Sequence, residues 1–174
     1  AGNILQRLSE LTVQAANGTL TAEEREKILY EVRELRDQLY QEANSTSVNR
    51  YIFAGFVTDT QPFVKAKEEL DDGKEIEYIT LNPKMLDENG DSIIDDDFIN
   101  YNLGHSEQIS INLIGPEVFN EIFDAVKNLE IALEKNDSGA ISGDILKDIK
   151  KSLDIVLKYR AQIGARSNRL EATV

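Results

Sequence analysis

The chain contains no cysteine and no tryptophan, one histidine at position 105, one methionine, and three prolines in 174 residues. Without cysteine there is no disulfide, thiolate zinc site or cysteine nucleophile. A Ser-His-acid arrangement would have to use His105, which sits in Asn102-Leu103-Gly104-His105-Ser106. This reads as a turn, and no Gly-x-Ser-x-Gly elbow accompanies it. Clustered glycines are missing too: Gly18, Gly55, Gly73, Gly90, Gly104 and Gly115 are isolated, so no phosphate-cradling loop is present. No run approaches the roughly 20 consecutive apolar residues that cross a bilayer, and the opening Ala1-Gly2-Asn3-Ile4-Leu5 is not a signal peptide. Positive charge is scarce, with 19 Lys and Arg against 32 Asp and Glu, a net of −13. Such a field repels nucleic acid and anionic lipid, which argues against either as a partner.

What is present is helical periodicity. Ile4, Leu8, Leu11 and Ala15 recur at intervals of four, three and four, and Asn17-Gly18 ends that stripe. Thr21-Ala22-Glu23-Glu24 has capping-box spacing, and Ile28, Val32, Leu35 and Leu39 continue from it. With no Gly or Pro before about Val48, this predicts a second helix of roughly 27 residues, about 40 Å long against about 22 Å for the first. Half of the longer helix would then lack a partner within the hairpin, leaving it to an upstream segment or another chain. A third stripe runs Phe119, Ile122, Val126, Leu129 and Leu133, closed by Asn136-Asp137-Ser138-Gly139. The last helix begins near Ser142, with Ile149, Leu153, Val156, Arg160, Ile163, Ser167 and Leu170 in coiled-coil spacing. Gly164 within it suggests close approach by another element.

Between about Asp59 and Gly115 the pattern changes to prolines, the turn pairs Asp72-Gly73 and Asn89-Gly90, and short alternating runs at 76–81 and 109–113. Residues 64–114 hold 13 acidic and 4 basic side chains. The expected fold is therefore α+β: an elongated antiparallel helical bundle, or rod, from 1–58 and 116–174, carrying a small acidic β-rich inserted domain at 59–115. Leu8, Leu11, Val32, Leu35, Leu39, Val126, Leu153, Val156 and Ile163 are the expected core. In the insertion, Asp87, Asn89 and Asp91 match three positions of a calcium loop, but the sixth-position Gly is missing and Phe98 replaces the terminal Glu. An acidic turn is the better reading, and Asp95-Asp96-Asp97 reads as a solvated face. No metal or cofactor is expected, and no catalytic residue. Long helices that overhang their partners point instead to self-association.

The segment Leu5-Gln6-Arg7-Leu8-Ser9-Glu10-Leu11-Thr12-Val13-Gln14-Ala15-Ala16-Asn17-Gly18 closely resembles the flagellin-type motif Leu-Gln-Arg-x-x-Glu-Leu-x-Val-Gln-Ala-Ala-Asn-Gly. At the other end, Gly164-Ala165-Arg166-Ser167-Asn168-Arg169-Leu170-Glu171 resembles the Gly-Ala-x-x-Asn-Arg-Leu-Glu of the same superfamily. Asn49-Arg50-Tyr51-Ile52-Phe53-Ala54-Gly55 and Thr60-Gln61-Pro62-Phe63 are similar to the hook-associated protein 3 branch, the hook–filament junction proteins, rather than to flagellin itself. The resemblance implies a non-enzymatic structural protein of the bacterial flagellum. It implies export through the flagellar secretion channel without a cleaved signal peptide, work outside the cell, and lateral self-assembly beside flagellin and other hook-associated proteins. It also implies further terminal segments beyond both ends, without which the chain would be monomeric or weakly associating. The matched residues Gln6, Arg7, Glu10, Gln14, Asn17, Asn49, Arg50, Arg166, Asn168 and Arg169 become candidate interface positions. A flagellin filament subunit is one alternative. A receptor-binding surface around Gln6-Arg7 is another, weakened because Ser9 stands where flagellins often carry a second Arg that offers several donors.

Overall fold

A computed structural model of the chain describes residues 2–47, 50–51, 60–90 and 116–172. Helix α1 spans Gly2–Ala15 and α2 spans Ala22–Ala43. Two-residue strands β1 (Thr46–Ser47) and β2 (Arg50–Tyr51) pair antiparallel, as do β3 (Phe63–Glu69) and β4 (Glu75–Leu81). Helix α3 (Pro116–Glu134) leads through a helical turn at Ser138–Ala140 and a kinked segment Ile141–Ile145 into α4 (Leu146–Ala172). Among the described residues the structure is thus α+β, with four long helices and two small two-stranded antiparallel sheets.

Local chemistry sets the element ends. Thr21 caps α2 reciprocally: its hydroxyl accepts from Glu24 N at 3.2 Å, while Glu24 Oε2 accepts from Thr21 N at 2.7 Å. Asn136 closes α3 in the left-handed conformation, φ 57°, and Asp137 N donates back to Ala132 O at 2.9 Å. Gly73, φ 79°, turns β3 into β4 as the Asp72-Gly73 pair predicted. The last helix does not open cleanly near Ser142. Gly143 adopts φ −93°, ψ −112° inside the kinked segment, and the long straight helix begins at Leu146.

The second helix is shorter than the 27 residues expected. It stops after 22, at Ala43, because Asn44 turns its side chain to another segment and Thr46–Ser47 is extended. At 1.5 Å per residue it is about 33 Å long. Nor is its second half bare: Leu39 and Ala43 are fully buried, and α2 packs against α3.

The helices pack in cyclic order. Helix α1 lies against α2 and α4, while α3 lies against α2 and α4, so α2 and α4 are diagonal to one another. Strand β4 packs on α3. One apolar cluster joins Leu5, Leu8, Leu11, Val32, Leu39, Phe119, Phe123, Val126 and Val156 to Phe63, Ile79, Leu81 and Met85 of the hairpin region. The described part of the 59–115 stretch therefore shares its core with the rod. Residues 91–115, including His105, Asp91, Asp95, Asp96, Asp97, Phe98 and the 109–113 run, lie outside the described residues.

Of the expected core, Leu35 and Leu153 are only partly buried. Position 36 rather than 35 faces inward, and it carries an arginine that is 5% exposed. Of Gly164 and Ile163, both within α4, only the backbone is described.

Candidate assembly surface and the polar joints behind it

On α1 the residues of the N-terminal motif divide by role. Leu5, Leu8, Leu11 and Ala15 point inward, and Thr12 is buried with its hydroxyl donating to Leu8 O at 2.6 Å. Gln6, Glu10, Val13, Gln14 and Asn17 lie on the exposed side. Arg7 bridges the two: its Nε donates to Glu31 Oε1 of α2 at 2.7 Å and its Nη1 to Glu10 Oε2 at 3.1 Å. Both partners of the α1–α2 pair are over 40% exposed, so solvent screens it and it positions more than it stabilises. Asn17 builds the turn out of α1, its Oδ1 accepting from Thr19 N and Thr19 Oγ1 at 3.1 and 2.8 Å. Arg50 lies in β2, and Arg166, Asn168 and Arg169 lie on α4, with only their backbone described; Asn49 lies outside the described residues. The structure therefore brings Gln6, Arg7, Glu10 and Gln14 onto one short helix and gives no side-chain arrangement joining them to the C-terminal set.

Two polar joints fix the elements behind this surface. The first is the Thr60-Gln61-Pro62-Phe63 motif. Asn44 clamps the Phe63 backbone at two points, accepting from its N at 3.0 Å and donating to its O at 3.1 Å. Gln61 Nε2 donates to Tyr40 Oη at 2.8 Å and to Phe63 O at 2.9 Å, and Asn82 Nδ2 donates to Gln61 O at 2.8 Å. Held this way, the fully buried Phe63 ring meets Phe119 and Phe123 edge-on, with centroids 6.1 and 5.1 Å apart.

The second joint is charged. Glu130 of α3 is 0% exposed and accepts from Arg36 Nη1 at 2.9 and 3.2 Å and from Arg33 Nε at 3.3 Å. Arg36 also donates to the Glu77 carbonyl of β4 at 3.0 Å and contacts the Glu77 and Asp37 carboxylates at 3.3 and 3.1 Å. Lys65 of β3 lies 3.4 Å from both of those carboxylates, while Arg33 and Lys74 hold Glu134 at 2.9 and 3.6 Å. Burial pushes the Glu130 carboxyl above its ordinary value, and the two guanidinium groups pull against that shift.

Sequence reasoning missed this joint, although the signal was there. Arg36 falls four residues after Val32 and three before Leu39. Glu130 falls within the stripe of Val126, Leu129 and Leu133. Opposite charges on two facing apolar stripes require each other.

Among the described residues no three His, Asp or Glu side chains converge to hold a metal ion. Asp87 Oδ1 accepts from Asn89 N at 2.8 Å, the hydrogen bond of an Asx turn. Among the described residues no helix is long and apolar enough to cross a membrane.

Residues 1–58 match the family described as the bacterial flagellin N-terminal helical region. Over 97% of its length the chain is 30% identical to flagellar hook-associated protein 3 of Escherichia coli (strain K12), and over 95% it is 28% identical to the protein of that name from Salmonella typhimurium. The chain spans 55% and 54% of the lengths of those two relatives. In fold it is similar to FlgL of Bacillus cereus, with a TM-score of 0.63 at 20% identity, covering 99% of this chain and 74% of that one. It is also similar to a putative flagellar hook-associated protein from Vibrio parahaemolyticus, with a TM-score of 0.56 at 18% identity, covering 98% and 71%. This chain belongs to the family of flagellin-like proteins that includes hook-associated protein 3.

Proposed function

We propose that the chain is the rod portion of a structural junction subunit of the bacterial flagellum, connecting hook to filament by lateral self-assembly. The observation that carries this reading is the similarity to two hook-associated protein 3 sequences along nearly the whole chain, through the hairpin as well as the helices. The role is mechanical rather than enzymatic. Its partners are further copies of the chain, flagellin and other hook-associated proteins, and it works outside the cell after export without a cleaved signal peptide. Gln6, Glu10 and Gln14 on the open side of α1 are proposed contact positions, together with Asn17, Asn49, Arg50, Arg166, Asn168 and Arg169. Arg7, tied to Glu31, orients that helix for them. The 59–115 stretch forms the outward acidic part of the subunit.

Gold-labelled antibody against the chain should mark a single band at the hook–filament boundary of isolated flagella. Cells deleted for its gene should keep hooks and lose filaments. The match of residues 1–58 to the flagellin N-terminal region favours a second reading, a filament subunit. Label distributed along the whole filament would establish that reading and sink the junction role.

A further inference from the structure

The outward faces of the two diagonal helices complement each other. On α2, Tyr30 is 61% exposed, its hydroxyl 3.3 Å from Glu26 Oε1, with Glu34 one turn further along the same face. Lys27, a cation on this face, is 3.3 Å from Glu23. The result is an exposed ring with Glu26 and Glu34 along the helix. It lies on the rim of a hollow it shares with Arg25 and Arg33, whose guanidinium groups are engaged at Leu20 O and at Glu130 and Glu134.

On α4 the Gly143 kink leaves a shallow, open depression of about 460 Å³ lined by Ser142, Gly143, Leu146, Lys147, Lys150, Lys151 and Asp154. A Cβ on Gly143 would meet nothing within 4 Å. The three lysines are exposed, and none makes an ion pair among the described residues. In a chain of net charge −13, a concavity with three lysines and one aspartate is suited to an acidic partner.

Because α1 and α3 separate α2 from α4, ring and depression face away from each other and cannot meet within one chain. They can meet between copies. A contact of one face with a different face is heterologous, and it propagates into rings or helical rows rather than closing a dimer.

We propose that Tyr30 of one copy seats in the Gly143–Asp154 depression of the next, with Glu26 and Glu34 against Lys147, Lys150 and Lys151. This rests on the self-assembly reading above and names its faces. Leu146 supplies the apolar contact for the ring, and the lysine rim sets its orientation.

The absence of native cysteine makes thiol trapping specific. Tyr30→Cys and Lys150→Cys chains, mixed at several hundred micromolar in low salt, are treated with a short bis-maleimide. Glu121→Cys, on the exposed side of α3, replaces Lys150→Cys in a control pairing. Heterodimer yield should exceed the control about tenfold and fall to the control level in 1 M salt, where the Debye length is about 3 Å. Adding Glu26→Lys and Glu34→Lys to the Tyr30→Cys chain should abolish the link, and adding Lys147→Glu and Lys151→Glu to the other should restore it. Circular dichroism of each variant checks that the helices are intact. Equal yield in the control pair, or no response to salt or charge reversal, overturns the proposed faces while leaving self-assembly standing. No cross-link in any pairing overturns the proposed faces, and the self-assembly reading is judged separately by the antibody and deletion tests above.

Discussion

Replacing Arg36 with Met keeps much of the aliphatic volume and removes the guanidinium that joins α2 to both α3 and β4. Glu130 would lose its contacts at 2.9 and 3.2 Å and keep one to Arg33 at 3.3 Å, while still wholly buried. The Glu77 carbonyl would also lose its donor at 3.0 Å. A buried charge deprived of its main partner costs about 3 to 5 kcal/mol. For a chain of this size that lowers Tm by about 6 to 20 °C, at about 2 to 4 °C per kcal/mol. Deleting both charges, as Arg36→Met with Glu130→Leu, should be milder than Arg36→Met alone, because the remaining penalty is chiefly the orphaned carbonyl, about 1 to 3 kcal/mol. Urea unfolding of the wild type, both single variants and the double variant closes the cycle, and a coupling of about 2 to 3 kcal/mol is expected. Additive costs, or an Arg36→Met penalty below about 1 kcal/mol, would show that water reaches the pair and that the joint is ornamental.

The same carboxyl gives a pH prediction. Because burial raises its pKa, the folded chain holds the Glu130 proton more tightly than the unfolded chain does. The stability so gained is present below the unfolded value and lost as pH rises through the folded one. Glu130→Gln should flatten that part of the stability–pH profile in calorimetry, and an unchanged slope would assign it to other groups. Phe63→Ala should cost about 3 to 5 kcal/mol in urea unfolding, since the ring is fully enclosed between Phe119 and Phe123. Asn44→Ala should cost about 1 to 3 kcal/mol by stranding two Phe63 backbone groups, with hydrogen exchange rising at Phe63 and not at Leu8. Leu39→Ala should cost about 2 to 5 kcal/mol and half-buried Leu35→Ala less than half of that; equal losses would return Leu35 to the core.

Elements specified by neighbours in sequence were legible from sequence. The stripe from Ile4 to Ala15, the Thr21–Glu24 cap and the Asp72-Gly73 turn each depend on contacts within a few residues, and each appears where spacing put it. What failed depended on distant partners. At the end of α2 the local bonds, Ser45 N to Glu42 O and Ser45 Oγ to Gln41 O, are joined by a distant one: Phe63, nineteen residues on, takes the Asn44 side chain. The shift of the inner face from Leu35 to Arg36 has the same origin. An arginine is placed inside only if a carboxylate waits there, and Glu130 is 94 residues away. The acidic net charge of the hairpin reports its outer face, whereas Phe63, Ile79 and Leu81 report the inner one. The assembly motifs were read from resemblance, and on α1 the structure shows only which half of the motif packs inward and which half is exposed.

The polar joints also account for how a hairpin with a common apolar face keeps one position on α3. Contacts among Phe63, Phe119 and Phe123 reward proximity but specify direction weakly. A strand displaced by one residue would turn Ile79 and Leu81 outward, which burial forbids, but a displacement by two would keep them inward. The side chains at the joints remove that second option. Asn44 grips both backbone groups of one residue, and Arg36 reaches one particular carbonyl, that of Glu77. A two-residue slip would offer both joints equivalent backbone groups but would carry the Phe63 ring away from Phe119 and Phe123 and the Glu77 carboxylate away from Arg36. Register is therefore set from α2, at two points along its length, by bonds that join it to the sheet and to α3. Joints of this kind suit the proposed role as an assembling subunit, which would need its outward faces held at a fixed angle.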